Sequence, residues 1–148
     1  MLSVREAKAQ DALEIQKLLY YLTNNPDVCV LPERLEEVAT CNYSFVFVAE
    51  YFGSVIGTLH LSLCPDVMFK HQPFAVIENL VVHKEHQKLG VGQKLMNSAL
   101  ALCTEKLCSK IMISSSINRV EAHHFFEKLG FSSESKKGFV KYPFRKQV

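Results

Sequence analysis

Six residues near the middle of the chain, Gln87-Lys88-Leu89-Gly90-Val91-Gly92, set two glycines between an apolar run and a helical pattern. Glycine lets backbone approach a ligand closely. The unpaired N–H groups of a first helical turn, reinforced by the helix dipole, favour a diphosphate there. The chemistry on offer is capture of a phosphate-bearing cofactor by main chain. A tight strand-to-helix turn with no ligand uses glycine in the same way, and for an isolated Gly-x-Gly that is the better reading, so context must decide. Lys88 and Lys94 add charge, although lysines on a turn and a helix ordinarily face solvent. A second candidate is Glu78, inside the apolar run Phe74 to Val82. A carboxylate buried there is costly without a partner, which points to a functional site rather than to packing; a splayed strand or a salt bridge is the alternative.

Other chemistry-bearing residues carry less. His83 and His86 come without an HExxH motif or a Cys/His cluster, so exposed turn histidines are expected and no metal is predicted. His123 and His124 point about 100° apart on a helix, so at most one faces a given cleft. Cys64 and the loop residue His71 form no readable nucleophile–base pair. Phe69 and His71 fit an acceptor pocket or an ordinary loop equally well.

The elements that must position these groups follow from periodicity. Val4 to Glu6 opens a short strand. After Asp11, residues Leu13, Ile15, Leu18, Leu19 and Leu22 give one apolar helical stripe that ends near Asn24-Asn25-Pro26. Pro32 suits the first turn of a second helix, with Leu35 and Val38 inward and Cys41-Asn42 closing it. Phe45 to Val48 and Val55 to Leu61, divided at Gly53-Ser54, read as a hairpin within Ser44 to Leu63. Pro65 to Pro73 breaks the pattern. Phe74 to Val82 is too apolar for one wet face and should be a central strand. Gly90 starts a helix with Val91, Leu95, Ala99 and Leu102 on one stripe. Ile111 to Ile113 reads as a short buried strand. A last helix carries Val120, Ala122, Phe125, Phe126 and Leu129 and stops at Gly130. Gly138 to Phe144 reads as a final strand.

With 148 residues, 48% of them hydrophobic and 22% charged, the chain suits one globular α/β domain spanning residues 1–148. The net charge of +2 is scattered apart from the tail Lys136 to Lys146, so nucleic acid is not implied. A solvated tail is the better reading of those charges, with a basic rim for cofactor phosphates as the alternative. The five cysteines form no CxxC pair, and reduced, mostly buried thiols are expected. No charged leader precedes an apolar stretch, and no apolar run approaches the roughly 20 residues that cross a bilayer. No membrane partner and a soluble, cytoplasmic protein are expected.

Together these motifs resemble the GNAT superfamily of N-acetyltransferases. In that family a Leu-x-Val-like strand end precedes (Gln/Arg)-x-x-Gly-x-(Gly/Ala), matched here by Leu80-Val81-Val82 and Gln87 to Gly92. Ala122-His123-His124-Phe125-Phe126-Glu127-Lys128-Leu129-Gly130-Phe131 is similar to the second signature, Ala-x-x-Phe-Tyr-Glu-Lys-Leu-Gly-Phe. The resemblance is strong from Phe74 to Phe131. It implies a mixed, mostly antiparallel central sheet splayed in the middle, with helices on both faces. It also implies acetyl-CoA as acetyl donor, with the Leu80, Val81 and Val82 backbone pairing to the pantetheine arm. Gln87, Lys88, Leu89, Gly90, Val91, Gly92 and Gln93 would hold the pyrophosphate. Glu78 would take the amine proton through water, and the Val82 N–H would polarise the thioester carbonyl.

Two departures matter. Phe126 stands where the family usually has the Tyr that protonates the leaving thiolate. Unassisted departure or protonation of the thiolate by water, substitution by His123, His124 or Tyr142, and loss of catalysis are the alternatives. Arg119 takes the register of a cofactor-contacting Asn, with Asn118 one residue early. Arg119-Val120-Glu121-Ala122-His123-His124-Phe125-Phe126 resembles a subgroup that includes aminoalkylphosphonate acetyltransferases. The function implied is acetyl transfer to a primary amine of a small molecule by direct attack. A protein or peptide acceptor, or an acyl-CoA-binding module weak in catalysis, is the alternative. The final strand could pair across a homodimer.

Overall fold

The computed structural model describes residues 1–144, and the chain divides into two compact units, Met1–Ile113 and Ser114–Val148. The first unit holds five strands, β1 (Leu2–Glu6), β2 (Ser44–Tyr51), β3 (Ser54–Cys64), β4 (Phe74–Val82) and β5 (Ile111–Ile113), in the order β1-β2-β3-β4-β5. All neighbours are antiparallel except β4 and β5, which run parallel. Helices α1 (Ala12–Thr23), α2 (Pro32–Thr40) and α3 (Val91–Glu105) complete it. The mixed, mostly antiparallel sheet expected from the sequence is thus present.

Alternation along the strands sorts the core. Val48 pairs with Thr58 and Ala49 with Gly57, so adjacent pairs face opposite sides of the sheet. On one side Val48, Val55 and Val81 pack with Ile15 and Leu18 of α1 and Leu35 of α2. On the other, a Cβ added at Gly57 would lie 3.1 Å from Leu95 and 3.2 Å from Val91, so α3 presses directly on β3. Its residues Val91, Leu95, Met96, Ala99 and Cys103 are buried, each contributing roughly 1.5–3 kcal/mol if apolar and large. Helices therefore cover both faces.

Local chemistry sets the boundaries. Asn24 ends α1 in the left-handed region (φ 51°), its N–H donating to the Tyr20 carbonyl at 2.7 Å. The β2–β3 turn is Phe52-Gly53, both with positive φ (47° and 80°), the pair a two-residue hairpin with right-handed strand twist requires. Beside it, Arg5 of β1 forks onto Asp11 at 2.8 and 3.0 Å and reaches Glu50 of β2 at 2.9 Å. Asp11 also accepts the Lys8 N–H at 2.7 Å. The Arg5 guanidinium holds the Asp11 carboxyl below its ordinary range, against the opposing effect of burial.

The second unit contains α4 (Val120–Lys128). Gly130 (φ 95°) donates to the Glu127 carbonyl, and Phe131 to that of Phe126, closing the helix with two crossed bonds. Phe126 is buried against the rings of Phe125 and Phe131, with centroids 5.6 and 6.3 Å away.

Several sequence expectations give way. Leu13 is exposed, because at 100° per residue it lies opposite the Ile15–Leu18–Leu22 stripe. Val120 is exposed at the start of α4. β5 is half-buried rather than buried, as suits a strand with one neighbour. Only Cys103 is buried among the thiols; Cys29 and Cys41 sit at loop and helix-end positions and are exposed. No strand forms between Gly138 and Phe144; Phe139, Val140 and Phe144 are exposed, and Pro143 lacks a ladder donor. The tail residues Arg145 and Lys146 lie outside the described residues.

Candidate active site

The site grows from an irregularity in β4. Ala75, Val76 and Ile77 pair with Ile111, Met112 and Ile113, and the pairing with β5 stops there. On the other side β4 stays paired with β3, but the register shifts between Thr58 and His60: Glu78 faces His60, while Val81 faces Thr58. Two β4 residues, Asn79 and Leu80, therefore share the space opposite Leu59. Asn79 takes the left-handed conformation (φ 59°), which Asn bears better than most residues. Such a bulge bends its strand. From Glu78 onward no strand among the described residues pairs with the β5 side of β4. The divergence of the sheet falls between these two strands.

The open edge has a defined polarity. His83 donates its N–H to the Ile56 carbonyl at 2.7 Å, on the β3 side. Successive backbone groups alternate sides along a strand, so the Val82 N–H points to the open side. A free donor at the strand's end, with Leu80 and Val81 buried behind it, is a fitting edge for an amide-bearing arm.

Beyond β4 a 3-10 turn, Lys84–His86, leads into the glycine segment. Gln87 is tied back by its Nε2, which donates to the Val82 carbonyl at 3.1 Å and to the Tyr21 hydroxyl of α1 at 3.4 Å. Lys88 and Gly90 both take positive φ, 63° and 83°. Nothing lies within 4 Å of a Cβ built on Gly90, so glycine is there for conformation rather than space. No side chain caps α3, and its first internal bond is Lys94 N–H to the Gly90 carbonyl at 3.0 Å. The N–H groups of Val91, Gly92 and Gln93 thus have no helical partner. Leu89 is exposed, and the Gln93 side chain bonds Asn97 at 2.9 Å rather than reaching outward. Lys94 turns away too, its ammonium donating to the Leu2 carbonyl at 3.1 Å. The turn into α3 thus presents unpaired main-chain N–H groups, with Lys94 directed elsewhere.

Glu78 departs from the sequence picture. It is exposed, not buried, although it keeps its place in the ladder opposite His60, just ahead of the bulge. Cross-strand from it is His60, whose Nε2 lies 2.6 Å from the Ser44 hydroxyl. Burial lowers the His60 pKa below its usual 6.5, with the Glu78 carboxylate pulling the other way. Neither His60 nor Ser44 was singled out from the sequence. The signal was there: Thr58, His60 and Ser62 form a polar row at period two in a strand otherwise built of Gly57, Leu59, Leu61 and Leu63.

The remaining candidates sort by place. Arg119 and Phe126 belong to the second unit, Arg119 heading α4 with its N–H on the Ser116 carbonyl at 3.0 Å. There His123 contacts the Ser116 carbonyl at 2.9 Å, while His124 and Tyr142 are exposed. His83 accepts the Glu85 N–H, and its ring meets that of His86 edge-on at 5.5 Å. His71 lines a cavity of about 660 Å³ with Tyr43, Asp66 and Lys106, whereas Phe69 stays exposed outside it.

A sheet opened at a bulged strand, followed by an uncapped glycine turn into a helix, is the arrangement of an acetyltransferase. The family model described as "Acetyltransferase (GNAT) family" matches residues 11–131, and the chain belongs to that family. Solved structures agree in fold. A protein of Agrobacterium tumefaciens str. C58 described as an acetyltransferase is 23% identical, with TM-score 0.85 over 95% of this chain and 99% of that one. Glucosamine-6-phosphate N-acetyltransferase of Arabidopsis thaliana is 23% identical, with TM-score 0.81 over 97% and 99%. An aminoglycoside acetyltransferase from an uncultured soil metagenomic sample is 20% identical, with TM-score 0.82 over 97% of each chain.

Proposed function

We propose that this acetyltransferase moves the acetyl group of acetyl-CoA to a primary amine of a small molecule by direct attack, with no acyl-enzyme intermediate. The observation that carries the reading is the open edge of β4 running into the uncapped start of α3. One supplies a free Val82 N–H, the other three free N–H groups beside Gly90. Acetyl-CoA bound there supplies an activated thioester. Residues Leu80 to Val82 hold its amide-bearing arm, and Gln87 to Gln93 its pyrophosphate, by main-chain donors near a helix dipole. The Val82 N–H stabilises negative charge developing on the carbonyl oxygen.

Attack needs a neutral amine, and Glu78 is the group assigned to take its proton, directly or through one water. Its exposure leaves it open to an acceptor arriving from solvent. No side chain is assigned to protonate the thiolate. Phe126 cannot, and because a coenzyme A thiol is only modestly basic, its loss slows turnover by about 10²-fold or less. Arg119 and Phe126 are assigned to the cofactor by the family motif alone. The family match across residues 11–131 supports this. Structural neighbours named for aminoglycoside and glucosamine-6-phosphate acetylation support a small-molecule acceptor.

The test is thiol release from acetyl-CoA with a panel of small amines, aminoalkylphosphonates and peptides, comparing wild type with Glu78→Gln. Wild-type turnover with a small amine, slowed about 10²-fold in the variant near neutral pH, is expected. Turnover of peptides alone moves the acceptor class to proteins. Tight acetyl-CoA binding with no turnover makes the chain the acyl-CoA-binding module that Phe126 would permit.

A further inference from the structure

The polar row on β3 has one member placed to act on Glu78. In the antiparallel register His60 stands directly opposite it, and side chains so paired lie within roughly 4.5–5.5 Å at their Cβ atoms. His60 is also anchored on its far side. Its Nε2 contacts the Ser44 Oγ of β2 at 2.6 Å, leaving Nδ1 as the nitrogen still to be partnered. The ring forms part of the wall of a groove of about 360 Å³ beneath α2, together with Arg34, Glu37, Cys41 and Ser44. Arg34 and Glu37 neutralise each other at 2.6 Å, so Glu78 is the one unpaired charge facing the imidazole among these groups.

We propose that His60 is a positioning residue for Glu78: neutral, it leaves the carboxylate free to accept the amine proton, and protonated, it pairs with the carboxylate and switches it off. This rests on the reading of Glu78 as base. In turnover the amine N–H bond breaks and a carboxyl O–H bond forms, while His60 neither gains nor loses a proton. Its charge acts only through Glu78. Burial keeps the ring neutral through the physiological range, where a base is wanted. An imidazolium at that distance competes with the proton for the carboxylate. Acid should then inhibit the enzyme as His60 gains its proton, at a pH below its ordinary 6.5.

Two measurements test this. In the first, kcat/KM for the amine is followed against pH in wild type, His60→Gln and His60→Asn, with thermal melts to confirm folding. Wild type should lose activity on the acid side with an inflection below pH 6.5. Both amides should lack that inflection, keep KM for acetyl-CoA within about twofold, and exceed wild type by up to about tenfold per pH unit below it. Acid limbs that coincide in all three proteins overturn the proposal. In the second, the His60 ring is titrated by NMR in wild type and Glu78→Gln. Removing the carboxylate removes the pull that raises the His60 pKa, so the variant should titrate at lower pH. An unmoved titration overturns the pairing whether or not the protein turns over. Wild type that binds acetyl-CoA and acetylates no amine overturns the transfer reading, and with it the switch, while the NMR result still decides the pairing.

Discussion

Replacing Asn79 sets two energies against each other. A β-branched residue such as valine at φ 59° costs about 1–2 kcal/mol relative to a residue at ease there. The strain could be relieved by sliding β4 one residue into a regular ladder. A one-residue slip, however, turns every later side chain to the other face, taking Leu80 and Val81 out of their buried positions. Losing two such side chains costs about 3–6 kcal/mol, more than the strain. The bulge should therefore survive in Asn79→Val. That variant is expected to lose about 1–2 kcal/mol in urea unfolding yet to keep kcat/KM within about threefold, and Asn79→Gly should recover most of the stability. Deleting Asn79 is a different perturbation. It removes the extra residue without changing which face any later side chain takes, so β4 can straighten and its edge can close toward β5. Acetyl-CoA affinity, read by calorimetry, should fall about 5- to 30-fold, as expected for losing one or two main-chain hydrogen bonds of about 1 kcal/mol each. Full stability in Asn79→Val would refute the strain. Unchanged acetyl-CoA affinity in the folded deletion variant would refute the claim that the bulge opens the site.

Other perturbations follow from single contacts. Gly57→Ala places a methyl 3.1 Å from Leu95, 3.2 Å from the Val81 carbonyl and 3.2 Å from Val91, all held by packing. A loss of about 1–3 kcal/mol, with weaker acetyl-CoA binding as the start of α3 is pushed outward, is expected in melts and calorimetry. Asp11→Asn breaks the anionic half of the Arg5 fork and should cost about 1.5–3 kcal/mol at neutral pH. Because the folded-state Asp11 pKa lies below 3.8, its stabilisation is complete above that value and is lost as pH falls through the folded pKa. The gap between variant and wild type should accordingly close in strong acid. Leu107 ends α3 at φ 57° with its side chain exposed, so Leu107→Gly should stabilise the fold by roughly 0.5–1 kcal/mol in urea unfolding.

The elements were legible where one physical rule governs a stretch. Pro32 at a helix start, the stripe of α3 and the apolar run of β4 each follow from local chemistry, and all three formed as read. The final strand failed because strand propensity is not a partner: Phe139 to Phe144 is as apolar as many strands but forms no ladder. The uncapped turn into α3 was legible because glycine spacing is written in sequence. The surroundings of Glu78 were not. Its setting depends on a strand pairing that places His60 opposite it from eighteen positions away in the chain, just ahead of a bulge at an Asn that in sequence is only one more polar residue. Position along the strand implied that a charge there must be buried. Its exposure removes that premise, and with it burial as the reason for basicity. The imidazole facing it, neutral in the physiological range, can act on the carboxylate only when acid protonates it.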